Sequence, residues 1–182
     1  MLLENNANNL NSPIIDFSLK GIDDKMYSPG DFSVKNVLVI VFMCNHCPYV
    51  KAVINRLVSL QENYSAKNVQ FIGINPNDTE TYPEDSFDKM KSFYKEYKMN
   101  FPYLIDETQK IARTYDAVCT PDIYVYDKKR RLKYRGRIDD NWQDESKVTR
   151  KELEDAIKLI LEGKAPIEKQ NPSMGCSIKW KN

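Results

Sequence analysis

The segment from residue 37 to residue 48 constrains the fold more than any other part of the chain. Residues 37–43 (VLVIVFM) form an apolar run rich in β-branched side chains, which is typical of a strand buried on both faces of a sheet. Pro48 suits the first position of a helix, because the N–H that it lacks would have no partner there. We therefore expect Cys44 and Cys47 to lie between the end of a buried strand and the start of a helix.

The remaining periodicity indicates alternating strands and helices. Strands are predicted at residues 14–19, 25–27, 37–43, 69–74, 102–105, 123–126 and 132–134. Helices are predicted at residues 48–64, 87–97, 108–115 and 149–161. The last helix would open on a capping box, Thr149 to Glu152. This order predicts an α/β fold, a three-layer α/β/α sandwich with a mixed central sheet and an N-terminal β extension.

We expect one domain at residues 12–162, flanked by two segments of another character. Residues 1–11 contain five asparagines and neither Lys nor Arg, which indicates a disordered lead-in. Residues 163–182 have no periodicity and form a C-terminal tail that carries Cys176. The tail includes Trp180 near its end, which favours docking on the domain or on a second subunit of a homodimer.

Charge and hydropathy exclude several classes of partner. The formal net charge is +1, so no nucleic-acid partner is expected. The only basic cluster, residues 128–131, is interpreted as a turn between strands. No apolar run approaches the roughly 20 residues that a membrane span needs, and no secretory signal is recognisable, so we expect no membrane partner and a cytoplasmic location.

The spacing of Cys44 and Cys47 indicates redox chemistry. Just before the first turn of a helix, free N–H groups and the helix dipole favour a thiolate. His46 is the only histidine, and its protonated ring would stabilise the Cys44 thiolate further. Two alternatives stay open: a pair of buried thiols without redox function, or a zinc site that adds His46 and Cys176 to the pair. We expect no metal and no cofactor, since a second pair of closely spaced ligands is missing.

Thr120 and Pro121 form the second half of the predicted site. They follow a loop and directly precede a predicted strand. A cis-proline facing the two cysteines fits this position, and an ordinary proline at the start of a strand is the alternative.

Together, VLVIVFMCNHCPYV and CTPDIYVYD resemble the thioredoxin superfamily, over residues 12–162. The long separation of Cys44 and Pro121 resembles its redoxin branch, which contains the peroxiredoxins (AhpC/TSA) and the TlpA/ResA-like proteins. More narrowly, five segments resemble a bacterial group of redoxin or AhpC/TSA-like proteins: CNHCPYVKA, INPND, VCTPD, YRGRIDDN and GCSIKWK. The resemblance implies a thioredoxin-like fold and a redox-active dithiol.

Carried over to this chain, the resemblance implies a role for each matching residue. Cys44 would be the exposed attacking thiol and Cys47 the buried resolving thiol. Pro121 would be the cis-proline, and the backbone of Thr120 would pair with an extended substrate. Independently of the resemblance, the position of His46 between the two cysteines predicts that its protonated ring makes the disulfide more oxidising and so tunes the redox potential.

The other two cysteines are candidates for additional redox thiols. Cys119 lies two residues before Pro121, near the predicted site, although a small buried apolar role is equally open. Cys176 would resolve an oxidised Cys44 or Cys47 if the tail folds back.

The chain also departs from both well-known patterns of the superfamily. Met43 and Leu38 stand where thioredoxins carry a tryptophan and a buried acid. If Cys47 is aligned with the peroxidatic cysteine, Cys44 and Ile40 replace the threonine and proline of peroxiredoxins. A peroxidatic site also needs an arginine. The candidates by sequence are Arg113, Arg135 and Arg137.

Three functions therefore follow from the sequence. The first is a thiol–disulfide oxidoreductase that acts on protein or small-molecule disulfides and is recycled by a thiol reductant system. The second is a thiol-dependent peroxidase of the AhpC/TSA type, an antioxidant that reduces peroxides. The third is a metal-binding or redox-sensing module.

Overall fold

The structure, a computed structural model, describes residues 2–4, 10–167 and 169–181. These residues form ten strands: β1 (Leu2–Glu4), β2 (Leu19–Gly21), β3 (Met26–Tyr27), β4 (Val37–Phe42), β5 (Val69–Asn75), β6 (Tyr103–Ile105), β7 (Cys119–Thr120), β8 (Asp122–Tyr126), β9 (Leu132–Gly136) and β10 (Met174–Ser177). They also form four α-helices: α1 (Pro48–Ser65), α2 (Phe87–Glu96), α3 (Lys110–Thr114) and α4 (Glu152–Leu161). Within the described ranges, no helix is both long and apolar enough to span a bilayer.

Seven strands form the central sheet, in the order β3-β2-β6-β5-β4-β8-β9. In its middle, Val39 of β4 lies opposite Phe71 of the parallel strand β5 and opposite Val125 of the antiparallel strand β8. The sheet is therefore mixed, as predicted. The predicted turn at residues 128–131 joins β8 to β9.

The core lies on both faces of this sheet, because consecutive side chains of β4 point in opposite directions. Val39 and Val41 pack in the cluster that includes residues of α1, α2 and α4. Leu38 and Ile40 pack in the opposite cluster, which includes Ala112 of α3. Every residue of β4 is fully buried, which confirms the predicted three-layer sandwich.

Two predicted elements are wrong at their boundaries. Residues 14–18 do not form a strand, because loop carbonyls and side chains bond their backbone instead: Ile14 N–H donates to the Arg130 carbonyl, and the Tyr115 hydroxyl donates to the Ile15 carbonyl. The last helix begins at Glu152 rather than after a capping box at Thr149. The Thr149 hydroxyl and N–H donate to the Asp140 carboxylate, so they do not cap the helix.

A second, small sheet joins the two ends of the chain in the order β1-β10-β7. Residues 2–4 are a strand, which differs from the predicted disordered lead-in at residues 1–11; residues 1 and 5–9 lie outside the described residues. The predicted docking of the tail on the domain is confirmed, because β10 pairs with β7 and places Cys176 opposite Thr120.

Candidate active site

The two cysteines lie where the buried strand meets the helix. One residue separates Cys44 from the end of β4. Cys47 is the N-terminal capping residue of α1, whose first residue is Pro48. The Thr120–Pro121 peptide bond is cis, as predicted. Because β8 lies beside β4, Thr120 reaches both sulfurs: its Oγ1 is 3.4 Å from the Cys44 Sγ, and its carbonyl oxygen is 3.1 Å from the Cys47 Sγ.

Neither cysteine of the pair is exposed. The exposed fraction is 1% for Cys44 and 0% for Cys47, and both are free thiols. The prediction of an exposed Cys44 is therefore wrong. The tail strand and the Asp85 carboxylate lie next to the sulfurs, so groups distant in sequence enclose them.

Because the two thiols interact, the pKa of each one depends on whether the other is protonated. The hydrogen bond with Cys47, burial and the Asp85 charge raise the pKa of Cys44 well above its usual value. The hydrogen bond with Cys44, together with the N–H groups of Val50 and Cys176, lowers the pKa of Cys47 to about 5. In the structure the Cys47 thiol donates to the Thr120 carbonyl. When the pair loses its first proton, the opposite directions of the two pKa shifts favour loss from Cys47.

A buried carboxylate that the sequence analysis missed holds the loop between the cysteines. Asp85 ends a short 3₁₀ turn, and its Oδ1 accepts the backbone N–H groups of Asn45 at 2.7 Å and His46 at 3.2 Å. Its Oδ2 accepts from the Asn77 side chain at 2.7 Å and lies 2.6 Å from His46 Nδ1. Burying a carboxylate costs free energy unless hydrogen bonds satisfy its oxygens, and these contacts satisfy both oxygens of Asp85.

His46 is bonded to this carboxylate and also stacks on Tyr82, with ring centroids 5.9 Å apart and planes within 6°. A positive charge on the imidazole would therefore be balanced by Asp85. The predicted redox-tuning role of His46 stays a prediction.

A second polar network, which the sequence analysis also missed, supports the hydrogen bonds around Asp85. The Tyr103 hydroxyl donates to Asn45 Oδ1 at 2.9 Å, and Asn45 Nδ2 donates to the Glu84 carbonyl at 3.0 Å. Asn75 Nδ2 donates to the Asp85 carbonyl at 2.9 Å. Asn75 and Asn77 belong to the INPND segment, which was noted only as part of a resemblance.

Three side chains of the site have the chemistry of metal ligands. The ligand atoms of Cys44, His46 and Asp85 lie within 4.8 Å of one another, a set that differs from the one predicted with Cys176. The Asp85 oxygens already accept three N–H groups and contact the His46 ring. Asp85 and His46 are therefore held by hydrogen bonds, whereas the Cys44 sulfur contacts the Thr120 hydroxyl.

The other two cysteines differ sharply from each other. Cys119 is buried, which raises its pKa, and its Sγ lies 3.6 Å from the Pro121 carbonyl oxygen. Cys176 is only half-buried, and burial followed by a hydrogen bond with Cys47 raises its pKa to about 11. Cys119 therefore fits the small apolar role, whereas Cys176 adjoins the pair.

The three arginines considered for a peroxidatic site are committed to other contacts. Arg113 lies over the Trp180 ring at 4.2 Å. Arg135 and Arg137 form ion pairs with carboxylates at 3.2 and 2.8 Å.

The geometry defines a class of protein. A dithiol between a buried strand and a helix, facing a cis-proline on a mixed sheet with helices on both faces, is the arrangement of a thioredoxin-like redoxin. The profile of the AhpC/TSA family matches residues 10–135, and the chain belongs to this family.

Individual relatives agree with this assignment. The thiol-disulfide oxidoreductase ResA of Bacillus thuringiensis subsp. konkukian (strain 97-27) is 25% identical over 146 residues, 79% of this chain and 74% of that protein. An uncharacterized conserved protein from Geobacillus kaustophilus is 43% identical, with a TM-score of 0.94 over 100% of this chain and 97% of that chain. A hypothetical protein from Sinorhizobium meliloti 1021 is 34% identical, with a TM-score of 0.93 over 98% of both chains.

Proposed function

We propose that the protein is a thiol–disulfide oxidoreductase whose working centre is the Cys44–Cys47 pair. The observation that carries this proposal is the convergence of both sulfurs on the residue before the cis-proline: the Cys44 Sγ lies 3.4 Å from the Thr120 Oγ1, and the Cys47 Sγ lies 3.1 Å from the Thr120 carbonyl oxygen. The name of the ResA relative, a thiol-disulfide oxidoreductase, supports the same chemistry.

In the proposed reaction, the thiolate attacks one sulfur of a substrate disulfide, forms a mixed disulfide and releases the other sulfur as a thiolate. The second cysteine then attacks the mixed disulfide. Its proton goes to one of the two released substrate sulfurs, the other takes a proton from solvent, and the Cys44–Cys47 disulfide remains. Two electrons have passed to the substrate, and a thiol reductant system returns them.

The resemblance assigns the first attack to Cys44, but the directions of the two pKa shifts favour a first attack by Cys47. The pKa of Cys47 is lowered while that of Cys44 is raised, so deprotonation is favoured at Cys47. We therefore propose that Cys47 attacks and Cys44 resolves. Contact of the substrate with Thr120 and Pro121, which the resemblance implies, would require the tail strand paired with Thr120 to move aside. A cytoplasmic location stays a prediction of the sequence.

The test isolates the pair in a chain that carries Cys176→Ser. Reduced protein is titrated with oxidised glutathione, and modified cysteines are mapped by mass spectrometry. We expect a Cys44–Cys47 disulfide, and a glutathione adduct trapped on Cys47 when Cys44→Ser is added. A glutathione adduct on Cys44 in a Cys47→Ser chain, together with no adduct on Cys47 in the Cys44→Ser chain, would restore the order that the resemblance implies. Failure of the Cys44–Cys47 disulfide to form both in this chain and in the chain with Cys176 intact would refute the oxidoreductase.

One observation favours a second candidate function, a thiol-dependent peroxidase. If Cys47 is aligned with the peroxidatic cysteine, the lowered pKa lies at that position, in an enclosed site suited to a small oxidant. Titration with hydrogen peroxide tests this function. A peroxidase would form a sulfenic acid at Cys47 far faster than an ordinary thiol, and the Cys47→Ser change would abolish that reaction.

A further inference from the structure

The enclosed position of the redox pair raises the question of how a thiol reductant reaches it. Attack on a disulfide requires direct approach to one of its sulfurs. Cys44, Cys47 and Cys119 are buried, whereas Cys176 is partly exposed. Among the four cysteines, Cys176 is therefore the one that solvent and an external thiol can reach.

The tail strand carries Cys176 to the backbone of the cis-proline loop. In β10, Cys176 lies directly opposite Thr120, and Ser177 lies opposite Cys119, in antiparallel pairing. The edge that the resemblance assigns to an extended substrate is thus occupied by the chain's own tail.

The approach of the two strands is unusually close at Gly175. A Cβ atom on this residue would lie 2.0 Å from the Thr120 carbonyl oxygen, so only glycine fits. The close contact brings Cys176 to the edge of the pair. Cys176 lies opposite Thr120, whose carbonyl oxygen is 3.1 Å from the Cys47 Sγ, and it packs against the buried cluster that contains Cys44 and Cys47.

The tail is also held beyond Cys176. The Lys179 N–H donates to Asn77 Oδ1 at 3.0 Å, and the Lys181 N–H donates to Gln109 Oε1 at 2.7 Å. Asn77 is the residue that also donates to Asp85. The same network therefore fixes the tail and the loop between the two cysteines.

We infer that Cys176 is a third redox thiol, which exchanges with the buried pair through a Cys47–Cys176 disulfide and passes it to external thiols. This inference rests on the proposed function, since it needs the Cys44–Cys47 disulfide as its starting state. It places a catalytic thiol on the tail strand.

Atoms and electrons balance without another reactant in the internal step. The Cys176 sulfur attacks the Cys47 sulfur, the bond between Cys44 and Cys47 breaks, and Cys44 takes the proton that Cys176 gives up. An external thiol then attacks the exposed Cys176 sulfur and frees Cys47. A second external thiol releases Cys176, so that two external thiols become one disulfide and the protein ends with three thiols.

The test compares Cys176→Ser with Cys119→Ser, a matched change of a buried cysteine outside the proposed relay. Both proteins are oxidised with oxidised glutathione, freed of it, and reduced with glutathione while free thiols are counted. We expect the Cys44–Cys47 disulfide in both, and reduction slower by about tenfold in Cys176→Ser because direct access is lost. Equal rates of reduction in the two variants would overturn the inference.

A second variant traps the relay directly. Oxidised Cys44→Ser, quenched in acid and mapped by mass spectrometry, is expected to contain a Cys47–Cys176 disulfide. Finding only a glutathione adduct on Cys47 would also overturn the inference while leaving the proposed function intact. If the Cys44–Cys47 disulfide does not form even in Cys119→Ser, the proposed function itself fails, and the two failures are distinguishable.

Discussion

Asp85 shows how much of the site depends on one side chain distant in sequence. It lies outside the Cys-x-x-Cys motif, yet its carboxylate accepts hydrogen bonds from both residues between the cysteines. Its charge also disfavours a thiolate on Cys44. Asp85 therefore supports the loop geometry and shifts the thiolate toward Cys47.

Replacing Asp85 by asparagine is expected to have two effects. Hydrogen bonds to a charged group contribute about 1.5–3 kcal/mol, so the free energy of unfolding should fall by about that amount. The pKa of Cys44 should fall, because the charge that raises it is removed. Denaturant unfolding measures the first effect, and the pH dependence of iodoacetamide alkylation in a Cys47→Ser background measures the second. Glu84→Gln, a change of the exposed neighbouring acid, is the control.

The Cys47 thiol makes the pH dependence of the reduced protein predictable. With a pKa of about 5 against an ordinary value of 9.0, one thiolate should appear in the ultraviolet absorbance with a midpoint about pH 5. The folded pKa is depressed, so the stabilisation is complete above pH 9 and is lost as the pH falls toward 5. Over that window the free energy of unfolding should rise with pH, relative to the same protein with Cys47→Ser. A midpoint near 9 would contradict the proposed thiolate.

Among the secondary-structure elements, β10 has the largest consequence for the site. It is short, but it pairs on one side with β1 and on the other with β7, which directly precedes the cis-proline. Strand pairing of this kind is also how proteins capture extended peptides. The tail therefore occupies a binding edge of the fold and encloses the dithiol at the same time.

Gly175→Ala is expected to displace this strand, because the added methyl group would overlap the Thr120 carbonyl. We expect faster alkylation of Cys176 and faster proteolysis of the tail, while the far-ultraviolet circular dichroism of the central sheet and helices is retained. Gly30→Ala is the matched control, since the nearest atom to its Cβ is 3.5 Å away. Unchanged alkylation of Cys176 in Gly175→Ala would mean that the strand tolerates the methyl group.

Across the whole molecule, one buried ion pair ties helix α1 to the loop that follows β9. Arg56 Nη1 lies 2.5 Å from Asp139 Oδ2, with side chains only 8% and 5% exposed. The guanidinium also donates to the carbonyl oxygens of Asn141 and Trp142 at 2.9 Å. Because Cys47 caps α1, this pair fixes the helix on which the site is built.

Removing the charge of Arg56 by Arg56→Met is expected to destabilise the fold by about 3–5 kcal/mol, since Asp139 would stay buried without its partner. Denaturant unfolding measures the loss, and Lys51→Met, on the exposed face of the same helix, is the control. Adding Asp139→Asn to the variant should recover part of the stability. A loss below about 1 kcal/mol would show that the pair is solvated.

Local patterns in the chain were enough to place β4, α1 and the cysteines between them, because the periodicity of side chains along a strand or helix depends on neighbouring residues alone. The cis-proline was likewise expected from a motif. Two boundaries failed at Ile14 and Thr149, where distant partners replaced the local hydrogen bonds. Local pattern therefore predicts an element best when its backbone bonds stay within that element or its sheet.

The chemistry of the site depended on contacts that no local pattern encodes. Asp85 reaches the cysteine loop across the fold, and the tail strand covers the pair from the far end of the chain. These contacts reversed the expected exposure of Cys44, and they raise the pKa of Cys44 while lowering that of Cys47. Burial and electrostatics are properties of the packed chain, since both depend on which distant groups displace water from the sulfurs. The motif thus identified the reacting atoms, and the tertiary structure decided their access and their charge.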